Sequence, residues 1–431
     1  MMARRRGVFV SIAAAVAALV VAAVAAVAAL NLQGETPLPA TPQLLQATQE
    51  QVARGAYLAR VGSCAGCHTA RGGAAYAGGR GIETPYGKVF AGNLTPDVAT
   101  GLGAWSPADF WRALHHGRSR DGRLLYPAFP YPNYTQVTRE DSDALYAYLR
   151  SLPAMQQPSP AHALRFPYNT QAALAVWRAL YFRPGRPPVD PARSAEWNRG
   201  AYLVHGLGHC TACHTPRNAL GAERKAQALG GGMVAGQGWY APALDMPAEA
   251  GVAQWPLQDV VALLQTGVAP QGSVTGPMAE VVFRSTQHLT DADARAMAVY
   301  LQALPQRSPA AAAAAIPAAT ALQPGAKVYE QHCAQCHGDQ GQGEPGAFPA
   351  LAGNRAVLLA DTTNLLRVVL QGGYLPATAG NPRPHGMPPF RQVLGDDEVA
   401  AVLSFVRNAW GNQAPAVDTI DAYRAREARS P

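Results

Sequence analysis

The chain has 431 residues, room for about three domains at roughly 150 residues each, and 48% of them are hydrophobic, so packed cores are affordable throughout. Lys+Arg exceed Asp+Glu by 35 − 28 = 7, and nearly all of the excess is arginine spread along the chain, with no basic block or aromatic-interleaved patch. That distribution argues against nucleic-acid binding and fits a mild attraction to acidic partners or lipid head groups.

Residues 1–36 read as a membrane anchor. Arg4, Arg5 and Arg6 precede Gly7–Leu30, a run of 24 residues without a charge. A secretory apolar region runs about 7–15 residues, whereas a spanning helix needs about 20. Small residues around Ala28 and Ala29 leave cleavage open, but the length favours an uncleaved anchor with its arginines cytoplasmic and the remainder exported. No second apolar run is long enough to span.

Residues 37–155 form a first unit. "ARGAYLARVGSC" is a helical segment leading into Cys64, Cys67 and His68. A Gly-rich loop follows, then the helix of "WSPADFWRALHHG", where Ser106 and Asp109 fit a capping box and Pro107 the first turn. The loop "LLYPAFPYPNYT" precedes a closing helix, capped by Thr138 and Asp141. Residues 156–196 carry an apolar helix-like run between two Pro-rich stretches, a packed connector that docks the first two units or meets a partner.

Residues 197–305 repeat the pattern: "NRGAYLVHGLGHC", then Cys210, Cys213 and His214, an apolar helix "DVVALLQTG", and a closing helix capped by Thr290 and Asp293. Residues 306–324 are an Ala/Pro-rich flexible linker. Residues 325–412 give a third unit with "QPGAKVYEQHC", Cys333, Cys336 and His337, and residues 413–431 a polar, loose tail. Tyr148, Tyr300 and Phe405 align on the closing helices and, set against Gly55, Gly200 and Gly325, allow first and last helices to cross closely. No alternating strand pattern appears, so the expected class is all-α.

The six cysteines are consumed by three Cys-x-x-Cys-His motifs. Two thiols one helical turn apart can add to the two vinyl groups of one porphyrin, and the adjacent histidine then offers nitrogen to its iron. Disulfides would leave three histidines unexplained, and zinc would want paired motifs converging on one ion. The expectation is three covalently bound c-type haems with proximal His68, His214 and His337. "AGNL", "APAL" and "FPAL" align, which sets carbonyls of Gly92, Pro242 and Pro349 to accept from the other ring nitrogen.

For the sixth ligands, Met387 is the only methionine of the third unit, with His385 as the nitrogen rival. In the second unit Met278 precedes the closing helix as Met387 does, while Met297 reads as core and Met233 and Met246 as loop or haem-edge packing. In the first unit Phe129 falls on this position, and Met155 is poorly placed. His115 and His116 end the preceding helix; they either reach the iron, leave it open, or simply favour a helix C-terminus.

"RGAYLxxxGxCxxCHT", "GxWSxxDFWRALxxGRSRDGRLLYPAxPY" and "STQHLTDADxRAMAVYL", behind an N-terminal anchor, resemble the triheme cytochrome c subunits of bacterial membrane-bound dehydrogenases. These include alcohol and gluconate dehydrogenase subunits and relatives serving molybdenum hydroxylases. The resemblance covers about residues 50–412. It implies three tandem class I cytochrome c domains, proximal ligands at His68, His214 and His337, and methionine ligands at Met278 and Met387. Phe129 departs from members with methionine after "LYPA". The implied activity is electron relay, at the periplasmic side of the bacterial cytoplasmic membrane, from a dehydrogenase catalytic subunit to quinone or a terminal oxidase. The alternatives are peroxide or oxygen reduction at an open first haem, and a stand-alone anchored shuttle; no catalytic constellation is visible in the chain itself.

Overall fold

The computed structural model describes residues 2–38, 46–308 and 317–428, which omits Met1, residues 39–45, the middle of the Ala-rich linker and the last three residues of the tail. An N-terminal helix α1 (Met2–Leu32) meets the body at its last turn, and its stretch Ser11–Leu32 is apolar and long enough to cross a membrane. The body is built on three helix crossings. α2 (Gln49–Val61) packs on α4 (Arg139–Arg150), with α3 (Pro107–His116) between them in sequence. After α5 (Gln171–Tyr181), α6 (Ala195–His205) packs on α8 (Asp291–Gln302), with α7 (Leu257–Thr266) between. Last, α9 (Gln323–His332) packs on α11 (Asp396–Val406), with α10 (Thr363–Gln371) between.

The crossings are as tight as the aligned glycines imply. A Cβ on Gly55 would lie 1.9 Å from Ala144 O and 2.8 Å from Tyr148 Cβ; on Gly200, 2.0 Å from Ala296 O; on Gly325, 2.1 Å from Ala401 O. Only hydrogen fits at these points.

The strand content differs from the all-helical expectation. β1 (Gly81–Thr84), β2 (Gly87–Phe90) and β3 (Ala163–Leu164) form an antiparallel sheet, and β4 (Gly230–Met233) pairs with β5 (Tyr240–Ala243). Two more hairpins join β6 (Val268–Ala269) to β7 (Gly272–Ser273) and β8 (Gly373–Tyr374) to β9 (Gly386–Met387). Strands of two to four residues, several of them glycine-rich, are too short to show a period of two.

The first two crossings share one continuous hydrophobic core, from Leu58 and Leu149 to Leu203 and Met297, whereas the third has its own around Leu370 and Val399. A reciprocal exchange at the helix caps joins the first two. Thr138 and Thr290 cap α4 and α8, but the Asp at the third position does not complete the capping box. Instead Asp141 takes Arg54 Nε at 2.8 Å from its own side and the Tyr202 hydroxyl at 2.5 Å from the other. Asp293 likewise takes Arg199 Nε at 2.8 Å and the Tyr57 hydroxyl at 2.6 Å. The vacated cap N–H groups of Thr138 and Thr290 reach those same tyrosine hydroxyls. "RGAY" therefore encodes an interface. The third repeat has Pro324 and Lys327 in place of the Arg and Tyr, and there Glu398 accepts from Gly395 N–H at 2.8 Å, the half of a capping box that a glycine N-cap allows. Asp293→Ala strands Arg199 and Tyr57 in a half-buried site and is expected to destabilise by about 3 kcal/mol, measured as a drop in the denaturant midpoint.

The third crossing docks on the second mainly through polar groups: Asn364 brackets Tyr240 N–H and C=O at 2.9 and 2.7 Å, and Arg367 stacks over Trp239. Two other segments are more ordered than their composition suggests. The connector supplies β3 and lays α5 against α1, and Trp177 Nε1 donates to Leu220 O at 2.9 Å, bridging to the second crossing. The tail, expected to be loose, forms α12 (Thr419–Glu427), with Val417 and Ala422 in the third core and Arg426 held by Asp396 at 2.6 Å.

Candidate haem centres

Each Cys-x-x-Cys-His motif follows a crossing helix and forms one more short turn: Cys64–His68 after α2, Thr211–His214 after α6 and Ala334–His337 after α9. In every case the histidine Nδ1 meets a backbone carbonyl. His68 reaches Gly92 O at 2.7 Å, His214 reaches Pro242 O at 2.7 Å, and His337 reaches Pro349 O at 3.0 Å, the pairings the aligned loops predicted. A carbonyl only accepts, so Nδ1 carries the proton and Nε2 keeps its lone pair for a metal. Burial lowers the pKa of all three rings, against the opposing pull of the carbonyl, so they stay neutral.

Burial pushes Cys64 and Cys210 up to about 12 and Cys333 to about 11. None of the six is in a disulfide, and among the described residues no group of three or more His, Cys, Asp or Glu is placed to hold an ion unaided. Two thiols beside one neutral imidazole, with Cys67 and Cys336 exposed, do not make up the four ligands of a zinc thiolate site. They fit a prosthetic group that brings its own equatorial ligands and consumes the thiols as thioethers.

A cavity of about 2770 Å³ opens beside the first motif, well beyond the roughly 300–1,000 Å³ usual for one small ligand. Cys64, Cys67 and His68 line it, with Leu94, Trp105 and Leu149 as apolar wall, and it reaches Cys213 of the second motif. Of the second motif it touches Cys213 but neither Cys210 nor His214. Phe129 lies on its wall, with its ring 5.3 Å from that of Tyr134.

His115 and His116 do not line this cavity. His115 is stacked on Trp111 at 4.3 Å, one helical turn back, and His116 is buried with its edge to His115. Nor do they enjoy a positive charge at the helix end. Burial lowers both to about 4, helped at His115 by His116 and at His116 by Arg178, Arg118 and Arg112. Besides His68, the imidazoles that line the cavity with Phe129 and Tyr134 are His162 and His209, the latter's ring 5.8 Å from Tyr134. Sequence reasoning passed over His209 because it directly precedes Cys210 and read as part of the second attachment motif.

The two depressed histidines set a pH window. The unfolded chain protonates them near 6.5 and the fold only near 4, so their stabilisation is complete above about pH 6.5 and declines as pH falls towards 4. For buried His116 the loss is about 3 kcal/mol, and His115→Phe should flatten the profile in this window in chemical unfolding at stepped pH. Asp293 acts lower down. Burial opposes its charge, but Arg199 and Tyr57 hold it below the usual carboxylate range, so its contribution is lost only as pH drops below about 3.9.

Among the expected sixth ligands, Met387 ends β9 and turns into the third core, whereas His385 is exposed with its ring on Phe348 at 4.8 Å. Met278 opens the short helix Pro277–Arg284 and packs with Val274, Ala279 and Val282. Met297 is core at 2% exposure, while Met233 and Met155 are exposed.

Comparison with known proteins follows the same repeats. The family described as Cytochrome c matches residues 52–153 and 322–410. The chain is 37% identical over 422 residues to the alcohol dehydrogenase (quinone) cytochrome c subunit of Gluconacetobacter polyoxogenes, covering 94% of this chain and 89% of that protein. It is 37% identical over 392 residues to the gluconate 2-dehydrogenase cytochrome c subunit of Pantoea cypripedii, covering 87% and 89%. It is also 44% identical over 371 residues to a nicotinate dehydrogenase subunit of Pseudomonas putida, covering 84% of this chain but only 30% of that longer protein.

Proposed function

We propose, for a chain that belongs to the family of dehydrogenase cytochrome c subunits, that it binds three covalent c-type haems and relays electrons from a dehydrogenase catalytic subunit to quinone or a terminal oxidase. The observation that carries this reading is the threefold recurrence of a Cys-x-x-Cys-His turn whose histidine Nδ1 is tied to a carbonyl at 2.7–3.0 Å. Each haem supplies a one-electron couple when bound. Cys64 and Cys67, Cys210 and Cys213, and Cys333 and Cys336 hold the groups in place, and His68, His214 and His337 present Nε2 to iron. Met278 would offer thioether sulfur to the second haem and Met387 to the third, ligation that raises a haem's reduction potential. Phe129 on the cavity wall would offer none to the first, so the first centre differs from the others.

The void shared by Cys67 and Cys213, and the single core behind it, support direct exchange between the first two centres. The apolar helix α1 supports anchoring at the membrane, with the body on the periplasmic side. Small-ligand reduction at the first centre needs a distal acid or base near Phe129; His115 and His116, the candidates for it, do not line the cavity, and the dehydrogenase cytochrome relatives favour electron transfer instead.

Extracted in detergent from its native membranes, the full chain should co-purify with a dehydrogenase subunit, and that subunit's substrate should reduce the haem absorption. A chain that emerges without an oxidoreductase, or whose haems stay oxidised, contradicts the proposal.

A further inference from the structure

Helix α5 is inverted for a helix of a soluble surface. Its one charged side chain, Arg178, is only 2% exposed and turned inward, donating from Nε to Asn31 Oδ1 at 2.9 Å and lying over the rings of Tyr131 and Phe182. Its outer row is Ala172, Val176 and Leu180, the last two 48% and 59% exposed, flanked by half-exposed Trp177 and Tyr181. An outward apolar face with its cation buried beneath it is unsuited to water.

What lies against that face follows from where α5 is fixed. Asn31, in the last turn of α1, donates to Ala175 O at 2.9 Å and is 9% exposed, and its own carbonyl accepts from Arg118 Nη2 at 3.1 Å. Just beyond it, Glu35 is locked to Arg118 at 2.9 Å. The end of the apolar stretch is thus bolted to α5. A bilayer's polar layer is about 5–8 Å deep on each side, and a helix with its side chains is about 10–12 Å across. A helix touching the last turn of a membrane span therefore sits in or on the head groups. Arg183 and Arg186, exposed just past its end, suit anionic lipid phosphates.

We infer that α5 is a second, interfacial membrane contact, lying on the lipid surface with Val176, Leu180 and the rings of Trp177 and Tyr181 in the head-group and acyl boundary. This rests on the reading of α1 as an anchor. Together the two helices hold the body at a fixed height and rotation, which a single span does not. Val176, Trp177, Leu180 and Tyr181 also line the large cavity, so this placement brings the α5 side of the first centre to the membrane surface.

The test places a benzophenone amino acid singly at Val176, Leu180, Leu19 within the span, or Val98, which is 73% exposed elsewhere on the body. Full-length, haem-loaded chain is irradiated in its native membranes and adducts are identified by mass. Val176 and Leu180 should each give at least tenfold more lipid adduct than Val98, with Leu19 as the positive reference. Adducts to another polypeptide or within the chain at both positions, or none to lipid while Leu19 labels lipid, overturn the inference. Absence of lipid adduct at Leu19 removes the anchor reading and the inference with it.

Discussion

Gly200→Val is expected to abolish the folded, haem-loaded chain. The first added atom at this position would lie 2.0 Å from Ala296 O and 2.7 Å from Tyr300 Cβ, so α6 and α8 must part before any valine fits. Neither neighbour is the free end of a flexible side chain. Overpacking of a core ordinarily costs about 1–3 kcal/mol, and a backbone collision between two helices belongs at or above the top of that range. The first two crossings share one core, so the damage should spread to the first centre as well. Haem staining and the unfolding midpoint measure it. Gly373→Ala is the control, since nothing lies within 4 Å of its Cβ, and it should shift stability by less than about 0.5 kcal/mol. A Gly200→Val chain that unfolds at the wild-type midpoint would show that the crossing is not what holds this region together.

The second large effect is spectroscopic. Phe129→Met puts a thioether on the cavity wall that also carries His68, where the proposed first haem lacks one. Its reduction potential should rise by on the order of 0.1 V, within the roughly 0.8 V that axial ligation commands, and its magnetic circular dichroism should come to match the Met/His centres. Three Met/His haems already present in the wild type would mean that the loop around Phe129 does not face the first iron.

The repeated glycines, the caps and the three carbonyl partners were legible in the sequence because each is a local or threefold-repeated constraint. Gly55, Gly200 and Gly325 recur at one register, so the crossing could be read without coordinates. The reciprocal exchange of Tyr57 and Tyr202 could not. "RGAY" announces itself only as a repeat, and nothing local says that each tyrosine serves the other repeat's aspartate. His115 and His116 misled for a related reason. Their position at a helix end suggested charge or ligation, but burial decides their state, and at His116 it is reinforced by Arg178, which arrives from α5 and is distant in sequence. His209 was hidden by adjacency to Cys210. The tail looked polar, yet two of its apolar residues, Val417 and Ala422, are taken up by the third core, while Ile420 stays exposed.

The most direct measurement of the central claim is the intact mass of the full chain, purified from membranes and denatured. Three haem groups retained on each polypeptide are predicted, one for each Cys-x-x-Cys-His motif. Two or fewer haems, or haem released by denaturation alone, would contradict the account.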